Sequence, residues 1–180
     1  MTTQGQQILI SGVGGQGILF VTRILAEAAI ESGLPVLTSE THGMAQRGGT
    51  VVSHLKVGNF SSPLIRPGRA DGLLIMKAEN VALHDYFLKP GGWSVVNQPK
   101  ASACEIKRCS VDADRMAAAL TNPRAVNLIM LGFLLARSPE FFCRPEAVRR
   151  ILERRMGDGG RKGAAAHAAF EAGYQAVPNE

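Results

Sequence analysis

The sequence has few aromatic residues, no long apolar segment and no visible targeting segment. Aromatic side chains make up 6% of the 180 residues, which disfavours a nucleic-acid-binding surface that stacks bases on rings. The longest apolar run, residues 128–136, is far shorter than the roughly 20 residues that a membrane-spanning helix needs. The start of the chain is polar and uncharged, unlike a secretory signal. We therefore predict a cytoplasmic protein that binds neither nucleic acid nor a membrane.

Cysteine is also scarce, and its spacing excludes the common metal sites. Cys104, Cys109 and Cys143 match neither an iron–sulfur run nor a paired zinc motif. An odd number of cysteines without a secretion signal predicts reduced, mostly buried thiols. If electrons move in the active assembly, we expect their carriers to lie on another chain.

Positive charge is in excess and is concentrated in one segment. The formal net charge is +5, and arginines cluster within residues 144–162. Among them Val148, Ile151, Leu152 and Met156 recur at three- and four-residue spacing, which predicts an amphipathic helix. Its arginine face is either simply solvated or a docking patch for an acidic partner or cofactor.

The first half of the chain has the pattern of an α/β fold. Short apolar runs at 7–11, 35–39 and 50–57 predict strands, and the apolar stripe of 18–32 predicts a helix between the first two. The link from 39 to 50 is too short for a regular crossover helix. An antiparallel third strand, and hence a mixed sheet, is therefore an alternative to a parallel one.

The remaining segments alternate at first and then become helical. We predict an exposed loop at 58–69, strands at 72–76 and 92–96, a helix at 79–88 between them, a turn at 90–92, and a weaker strand at 105–109. Helices are predicted at 112–120, 125–136, 145–156 and 163–176. The expected fold is one domain over 1–180, a Rossmann-like three-layer α/β sandwich whose core spans about 1–110, with a helical C-terminal part over about 111–180.

A glycine motif follows the first strand and opens the first helix. Residues 12–17 (GVGGQG) satisfy the GxGxxG pattern. Glycines permit a tight turn and a close backbone approach, while the start of a helix offers unpaired N–H groups to a phosphate. The candidate cofactor-binding residues are Gly12, Gly14, Gly15, Gln16 and Gly17. The alternative is a turn needed only for packing or for contact with another subunit.

A second glycine-rich segment, residues 40–49, leaves the second strand. Arg47 with its neighbouring glycines suits a loop that closes over an anion or another subunit. Glu40 follows the second strand, where a dinucleotide-binding protein has the acid that binds the ribose. A nicotinamide or flavin site is therefore an alternative interpretation. No nucleophile elbow, paired catalytic carboxylates or Walker lysine is present, so the sequence contains no self-contained catalytic constellation.

Taken in order, these motifs resemble the gamma-type domain of 2-oxoacid:ferredoxin oxidoreductases. The resemblance extends from 12–29 through 39–49, 70–74 and 127–132 to 162–174. The sequence of 42–49 (HGMAQRGG) is most similar to the beta subunit of indolepyruvate oxidoreductases. One departure lies near His167, where the family often has an asparagine and this chain has alanines.

The resemblance implies a Rossmann-like chain that packs on a larger subunit with thiamine-diphosphate and ferredoxin-type domains. That partner would carry thiamine diphosphate, Mg²⁺ and 4Fe–4S clusters, and the assembly would convert a 2-oxoacid to acyl-coenzyme A while reducing ferredoxin. This chain would bind no cofactor stably and would be inactive alone. Its glycine motif and Arg47 would contact coenzyme A, and Glu40, His42, Gly48 and Gly49 would lie at the subunit interface. The alternative function is a free-standing dinucleotide-binding reductase.

Overall fold

The computed structural model describes residues 5–42, 49–99, 108–138, 140–157 and 160–176. The strands are β1 (Gln6–Val13), β2 (Val36–His42), β3 (Thr50–Val57), β4 (Ala70–Ile75), β5 (Leu88–Asn97) and β6 (Arg108–Val111). The helices are α1 (Ile18–Glu31), α2 (Val81–His84), α3 (Ala113–Ala119), α4 (Val126–Arg137), α5 (Pro145–Met156) and α6 (Arg161–Gln175). Short 3₁₀ turns occupy Ala78–Asn80, Asp85–Phe87 and Pro123–Ala125.

The six strands form one mixed sheet in the order β2-β3-β1-β4-β5-β6. Strands β1, β4, β5 and β6 are parallel to one another, whereas β3 pairs antiparallel with both β1 and β2. The short link before β3 allows only this direction, because a parallel neighbour would need a long crossover. The prediction of a Rossmann-like α/β fold with a mixed sheet and a helical C-terminal part is confirmed.

The two faces of the sheet are covered very unequally. On one face, α1 and the C-terminal helices bury the main core, which includes Ile8, Ile10, Leu25, Leu74 and Phe133. On the other face, the loop 58–69 and the short helical segment 78–87 cover a smaller cluster built around Leu9, Leu73 and Ile75. The second outer layer is therefore thin and contains no helix longer than α2 among the described residues.

The helical layer is held together by close backbone contact and by ion pairs. A Cβ on Gly132 of α4 would lie 2.1 Å from the Phe170 carbonyl oxygen of α6. On α5, Arg149 binds Glu171 of α6 through two hydrogen bonds of 2.6 and 3.2 Å. Arg154 binds Glu31 of α1 at 2.6 Å. Part of the predicted arginine face thus forms ion pairs with acidic side chains of the same chain.

The predicted helix at 79–88 is present only as a short, irregular helical segment, and the predicted turn at 90–92 is wrong. The helical segment breaks into α2 and two 3₁₀ turns, and β5 already begins at Leu88 and continues through 90–92. Pairing with β4 passes from Ala70 opposite Leu88 to Gly72 opposite Trp93, so β5 carries extra residues in a bulge. The Pro-Gly-Gly sequence that predicts a turn is accommodated there, because a bulge tolerates a proline without a ladder hydrogen bond.

The prediction of reduced thiols is wrong for Cys109, which is disulfide-bonded. Cys143 is a free, buried thiol, and burial raises its pKa to about 12. Cys104 lies outside the described residues. A short strand such as β6 gives no spacing signal from which this bond could be read in the sequence.

No helix within the described ranges is long and apolar enough to cross a membrane.

Candidate functional site

The glycine motif forms the turn between β1 and α1 at the carboxyl end of β1. Gly15 and Gly17 have φ of 99° and 77°, a region that L side chains rarely adopt, and Gly17 directly precedes the helix. Gly12 is needed for a different reason, since a Cβ there would lie 2.5 Å from the Ile18 side chain. Together these glycines let the chain reverse tightly and bring the start of α1 to the edge of the sheet.

The Gln16 side chain fixes the shape of this turn. Its Oε1 accepts a hydrogen bond from the Val13 amide at 2.9 Å, and its Nε2 donates to the Met76 carbonyl at 3.0 Å. Because both ends of the carboxamide are engaged within the protein, Gln16 ties the glycine turn to the end of β4. The Gln16 backbone N–H is also engaged, and donates to the Val13 carbonyl at 3.1 Å.

Several backbone amides of the glycine turn remain free. Within the described ranges, four of them donate no hydrogen bond to the protein, those of Gly15, Gly17, Ile18 and Leu19. The first N–H groups of a helix have no acceptor inside the helix and attract an anion. They border an open cavity of about 350 Å³ with apolar walls, lined by Val13, Gly14, Gly15, Gly17, Ile18, Leu19 and Val51.

The second glycine-rich segment meets the first. The Gly14 amide donates to the Gly49 carbonyl at 3.0 Å. His42 ends β2, where its backbone pairs with Val51. Arg47 and Gly48 lie outside the described residues, so their predicted contacts stay predictions. The structure thus brings the two predicted loops together at Gly14 and Gly49.

Glu40 does not occupy the position of a ribose-binding acid. It lies within β2, opposite Ser53 of β3, rather than just beyond the strand. Strand β3 separates β2 from β1. Since neighbouring strands lie about 4.8 Å apart, Glu40 is roughly 10 Å from β1 in the sheet direction. In a dinucleotide-binding fold the corresponding acid follows the strand beside β1, so this placement disfavours the reductase alternative.

Asn127, which sequence reasoning did not single out, lies directly against the glycine turn. Its Nδ2 would be 2.2 Å from a Cβ on Gly17, and its Oδ1 accepts a hydrogen bond from the Leu128 amide at 2.8 Å. The residue is only 8% exposed. The sequence signal that could have identified Asn127 is its polarity within the otherwise apolar start of α4.

Two further buried asparagines hold the strand ends beside the turn. Asn80 donates from its Nδ2 to the Ser11 hydroxyl at 3.0 Å and to the Gly12 carbonyl at 3.1 Å. Asn97 donates to the Met76 carbonyl at 3.2 Å and accepts from the Ala113 amide at 2.9 Å. These contacts join β1, β4 and β5 to the following helices, and therefore make the edge of the sheet rigid where the free amides are exposed.

The described residues offer no set of side chains for a metal centre. Nowhere in those ranges do three or more His, Cys, Asp or Glu residues converge as ligands. Cys109 is oxidised in a disulfide, and the Cys143 thiol is buried with a strongly raised pKa. These two cysteines do not fit the thiolate ligands of an iron–sulfur cluster.

A comparison with family models decides the assignment. The model described as pyruvate ferredoxin/flavodoxin oxidoreductase matches residues 7–176. The chain belongs to this oxidoreductase family. The family that the ordered motifs predicted is thereby confirmed.

Two relatives in the oxidoreductase family are both described as indolepyruvate oxidoreductase subunit IorB. Indolepyruvate oxidoreductase subunit IorB of Pyrococcus horikoshii is 29% identical over 169 residues, which cover 81% of this chain and 83% of the relative. The IorB subunit of Archaeoglobus fulgidus is 42% identical over 93 residues, covering 52% of this chain and 46% of the relative. In that second case the match spans about half of each protein.

Solved structures of the oxidoreductase family share the fold. The gamma subunit of a keto/oxoacid ferredoxin oxidoreductase from Geobacter sulfurreducens superposes with a TM-score of 0.73 at 23% identity, covering 94% of this chain and 96% of that one. The 2-oxoglutarate:ferredoxin oxidoreductase of Magnetococcus marinus gives a TM-score of 0.78 at 23% identity, covering 94% of this chain but 30% of that one. The same fold thus occurs both as a separate subunit and as part of a longer polypeptide.

Proposed function

We propose that this chain is the cluster-free subunit of an indolepyruvate-type 2-oxoacid:ferredoxin oxidoreductase. The assembly would cleave the bond between the carboxylate and the carbonyl carbon of a 2-oxoacid, release CO₂, join the acyl group to the sulfur of coenzyme A, and pass two electrons to ferredoxin. The family match and the repeated similarity to IorB subunits support this assignment.

A larger partner subunit would perform the redox chemistry. Thiamine diphosphate with Mg²⁺ on that partner would stabilise the carbanion, and its 4Fe–4S clusters would carry single electrons. The described cysteines of this chain do not fit such a cluster. The Geobacter gamma subunit, which matches this chain over 96% of its length, is a separate chain, in keeping with a heteromeric enzyme.

The observation that carries the role of this chain is the free amides at the start of α1. A coenzyme A molecule carries phosphate groups, and a helix start with free N–H groups binds phosphate without needing a cation. Hydrogen bonds to a charged group contribute about 1.5–3 kcal/mol each in favourable sites. The Magnetococcus relative is described with coenzyme A and succinyl-CoA bound, so we assign the coenzyme A phosphates to this turn, with Arg47 as the added cation.

The same loops would also form part of the contact with the large subunit. Gly14 and Gly49 meet through a backbone hydrogen bond, and glycines allow another backbone to approach closely. Glu40, His42 and Gly48 would complete this contact. Coenzyme A would then be bound where the two subunits meet.

The test uses the complex of this chain with its large subunit, and viologen reduction by indolepyruvate as the assay. Arg47→Ala should raise the KM for coenzyme A about tenfold or more, by loss of one charge-assisted contact, with kcat at saturating coenzyme A nearly unchanged. Arg23→Ala removes an exposed arginine of α1 that is a weaker candidate for the same contact, and it should raise KM less than Arg47→Ala does.

Three results would contradict parts of the assignment. An unchanged KM in Arg47→Ala would remove Arg47 from the coenzyme A site. Loss of the large subunit on bulky substitution of Gly48, with coenzyme A dependence intact, would leave the loops a docking role only. Tight binding of NADH or NADPH to this chain in calorimetry would revive the reductase alternative.

A further inference from the structure

The thinly covered face of the sheet carries a concentration of exposed apolar side chains. Leu64 in the loop 58–69 is 52% exposed, and Leu83 and Tyr86 in the segment 78–87 are 53% and 59% exposed. Five large hydrophobic residues are exposed in the described chain, and three of them lie in these two segments. Scattered exposed apolar residues need no explanation, but a group on one thin layer does.

The two segments form one continuous surface. The Gly68 amide donates to the Tyr86 carbonyl at 2.9 Å. Tyr86 stacks on Phe87 with ring centroids 4.4 Å apart. Beneath them, the Ile65 amide donates to His54 Nδ1 at 3.2 Å, and the His54 ring contacts Phe87 edge to face at 5.8 Å. We call the surface of residues 63–69 and 83–87 the outer patch.

Positive charge beside the outer patch has no free acid to balance it, because Asp85, the acid within the patch, already pairs with Arg108 at 3.2 Å. Lys56 is only 7% exposed, and its Nζ lies 5.2 Å from the centre of the Phe60 ring. Burial lowers the pKa of Lys56, and the nearby Arg66 lowers it further. Across the described ranges, no carboxylate lies within ion-pair distance of Lys56, Arg66 or Arg69, although other cations such as Lys77 and Arg108 have acidic partners.

We infer that the outer patch docks an acidic surface of the large subunit that also presents apolar side chains. Tyrosine and arginine are enriched at protein interfaces, and the apolar side chains would lie at the centre with the charges at the rim. Carboxylates of the partner would meet Arg66 and Arg69 and offset the cost of burying Lys56.

A second copy of this chain fits the outer patch poorly. In a two-fold symmetric dimer the same patch would face itself. Both surfaces would then carry the unpaired Arg66 and Arg69, and this excess of like charge disfavours association. An acidic partner removes this repulsion. The inference rests on the proposed function, because it takes the partner to be the large subunit of the oxidoreductase.

The test measures assembly of the full chain with purified large subunit by biolayer interferometry at 50 and 500 mM salt. The double variant Arg66→Glu/Arg69→Glu should weaken binding about tenfold or more at low salt, with a smaller difference at high salt. Tyr86→Ala should weaken it about tenfold at both salt concentrations, because its contribution is apolar.

Matched controls come from exposed residues elsewhere. Ile30→Ala on α1 and Arg115→Glu on α3 change an exposed apolar and an exposed arginine side chain outside the patch. They should change the affinity by less than about twofold, within the range of residues outside an interface. Circular dichroism and thermal unfolding of each variant establish that the fold is intact.

The failure of this inference differs from the failure of the proposed function. Patch variants that bind the large subunit as tightly as the wild type would overturn the inference alone. So would self-association of the wild-type chain, or its binding to vesicles containing phosphatidylserine, if the same patch variants abolished it. A wild-type chain that does not bind the large subunit at all would overturn both.

Discussion

The glycine turn provides a quantitative test of how the site is shaped. Gly15→Ala and Gly17→Ala both place a side chain at positive φ, at 99° and 77°. That conformation costs about 1–2 kcal/mol for an L residue. A Cβ at position 15 would meet nothing within 4 Å, whereas one at position 17 would lie 2.2 Å from Asn127 Nδ2. The two substitutions therefore share backbone strain but differ in steric clash.

The clash at position 17 sets the difference between the two variants. The contact falls on the end of the Asn127 side chain, which can rotate, so its cost lies near the lower end of the roughly 1–3 kcal/mol of overpacking. Gly17→Ala should therefore lose about 2–3 kcal/mol and Gly15→Ala about 1–2. Asn127→Ala should itself cost about 1 kcal/mol through its lost hydrogen bond with the Leu128 amide. In the variant that combines Gly17→Ala with Asn127→Ala, the clash disappears.

Urea unfolding at 25 °C, followed by circular dichroism, measures all four variants. The double variant should be more stable than the sum of its single losses predicts by at least about 1 kcal/mol, a coupling outside the usual error of additivity. Each kcal/mol should move Tm by about 2–4 °C for a chain of this size. Equal losses for Gly15→Ala and Gly17→Ala, or an additive double variant, would refute the argument that Asn127 supports the turn.

Three further predictions concern the rest of the chain. Gly173→Ala should lose more than about 3 kcal/mol in urea unfolding, because its Cβ would lie 1.9 Å from a carbonyl oxygen of α4, while Gly160→Ala, with nothing within 4 Å, should stay within about 0.5. Burial lowers the pKa of His54 below its usual 6.5, and lowers that of His84 too. The unfolded chain therefore takes up protons first, and stability should fall as pH drops below about 6.5. His54→Gln should reduce this fall, with the remainder coming from His84, and an unchanged profile would refute the role of His54. Arg149→Met should cost about 1–2 kcal/mol by breaking its paired hydrogen bonds on α6, and Arg150→Met, an exposed neighbour, close to zero.

The sequence predicted those elements whose signals are local. The helix after the glycine motif and the strand 50–57 follow from periodicity, and both occur nearly as predicted. The predicted helix 79–88 is realised only as α2 between two 3₁₀ turns, and it ends at Phe87 because β5 already begins at Leu88. The segment at 90–92 failed because the same Pro-Gly-Gly sequence serves a turn or a bulge, and only pairing with β4 decides between them.

The candidate site was predictable only in part, because some of its residues meet only through long-range packing. The spacing of Gly15 and Gly17 predicts a tight turn without any information from the rest of the chain. Asn127, over 100 residues away in the chain, reaches that turn only after α4 packs on the sheet. Nothing in the local sequence of Asn127 gives its distance to Gly17, and its single signal is polarity within an apolar helix.

The insertion of β3 distinguishes this glycine turn from that of a dinucleotide-binding fold. In a dinucleotide-binding fold the glycine turn holds the diphosphate, and an acid on the adjacent strand holds the ribose. Here β3 separates β2 from β1, so Glu40 lies roughly 10 Å from β1. The same insertion brings Gly49, at the entrance of β3, within hydrogen-bond distance of Gly14. The fold therefore keeps the glycine turn with its free amides and places a second loop, rather than a ribose-binding acid, beside it. This arrangement is the one that the proposed contact with the coenzyme A phosphates would use.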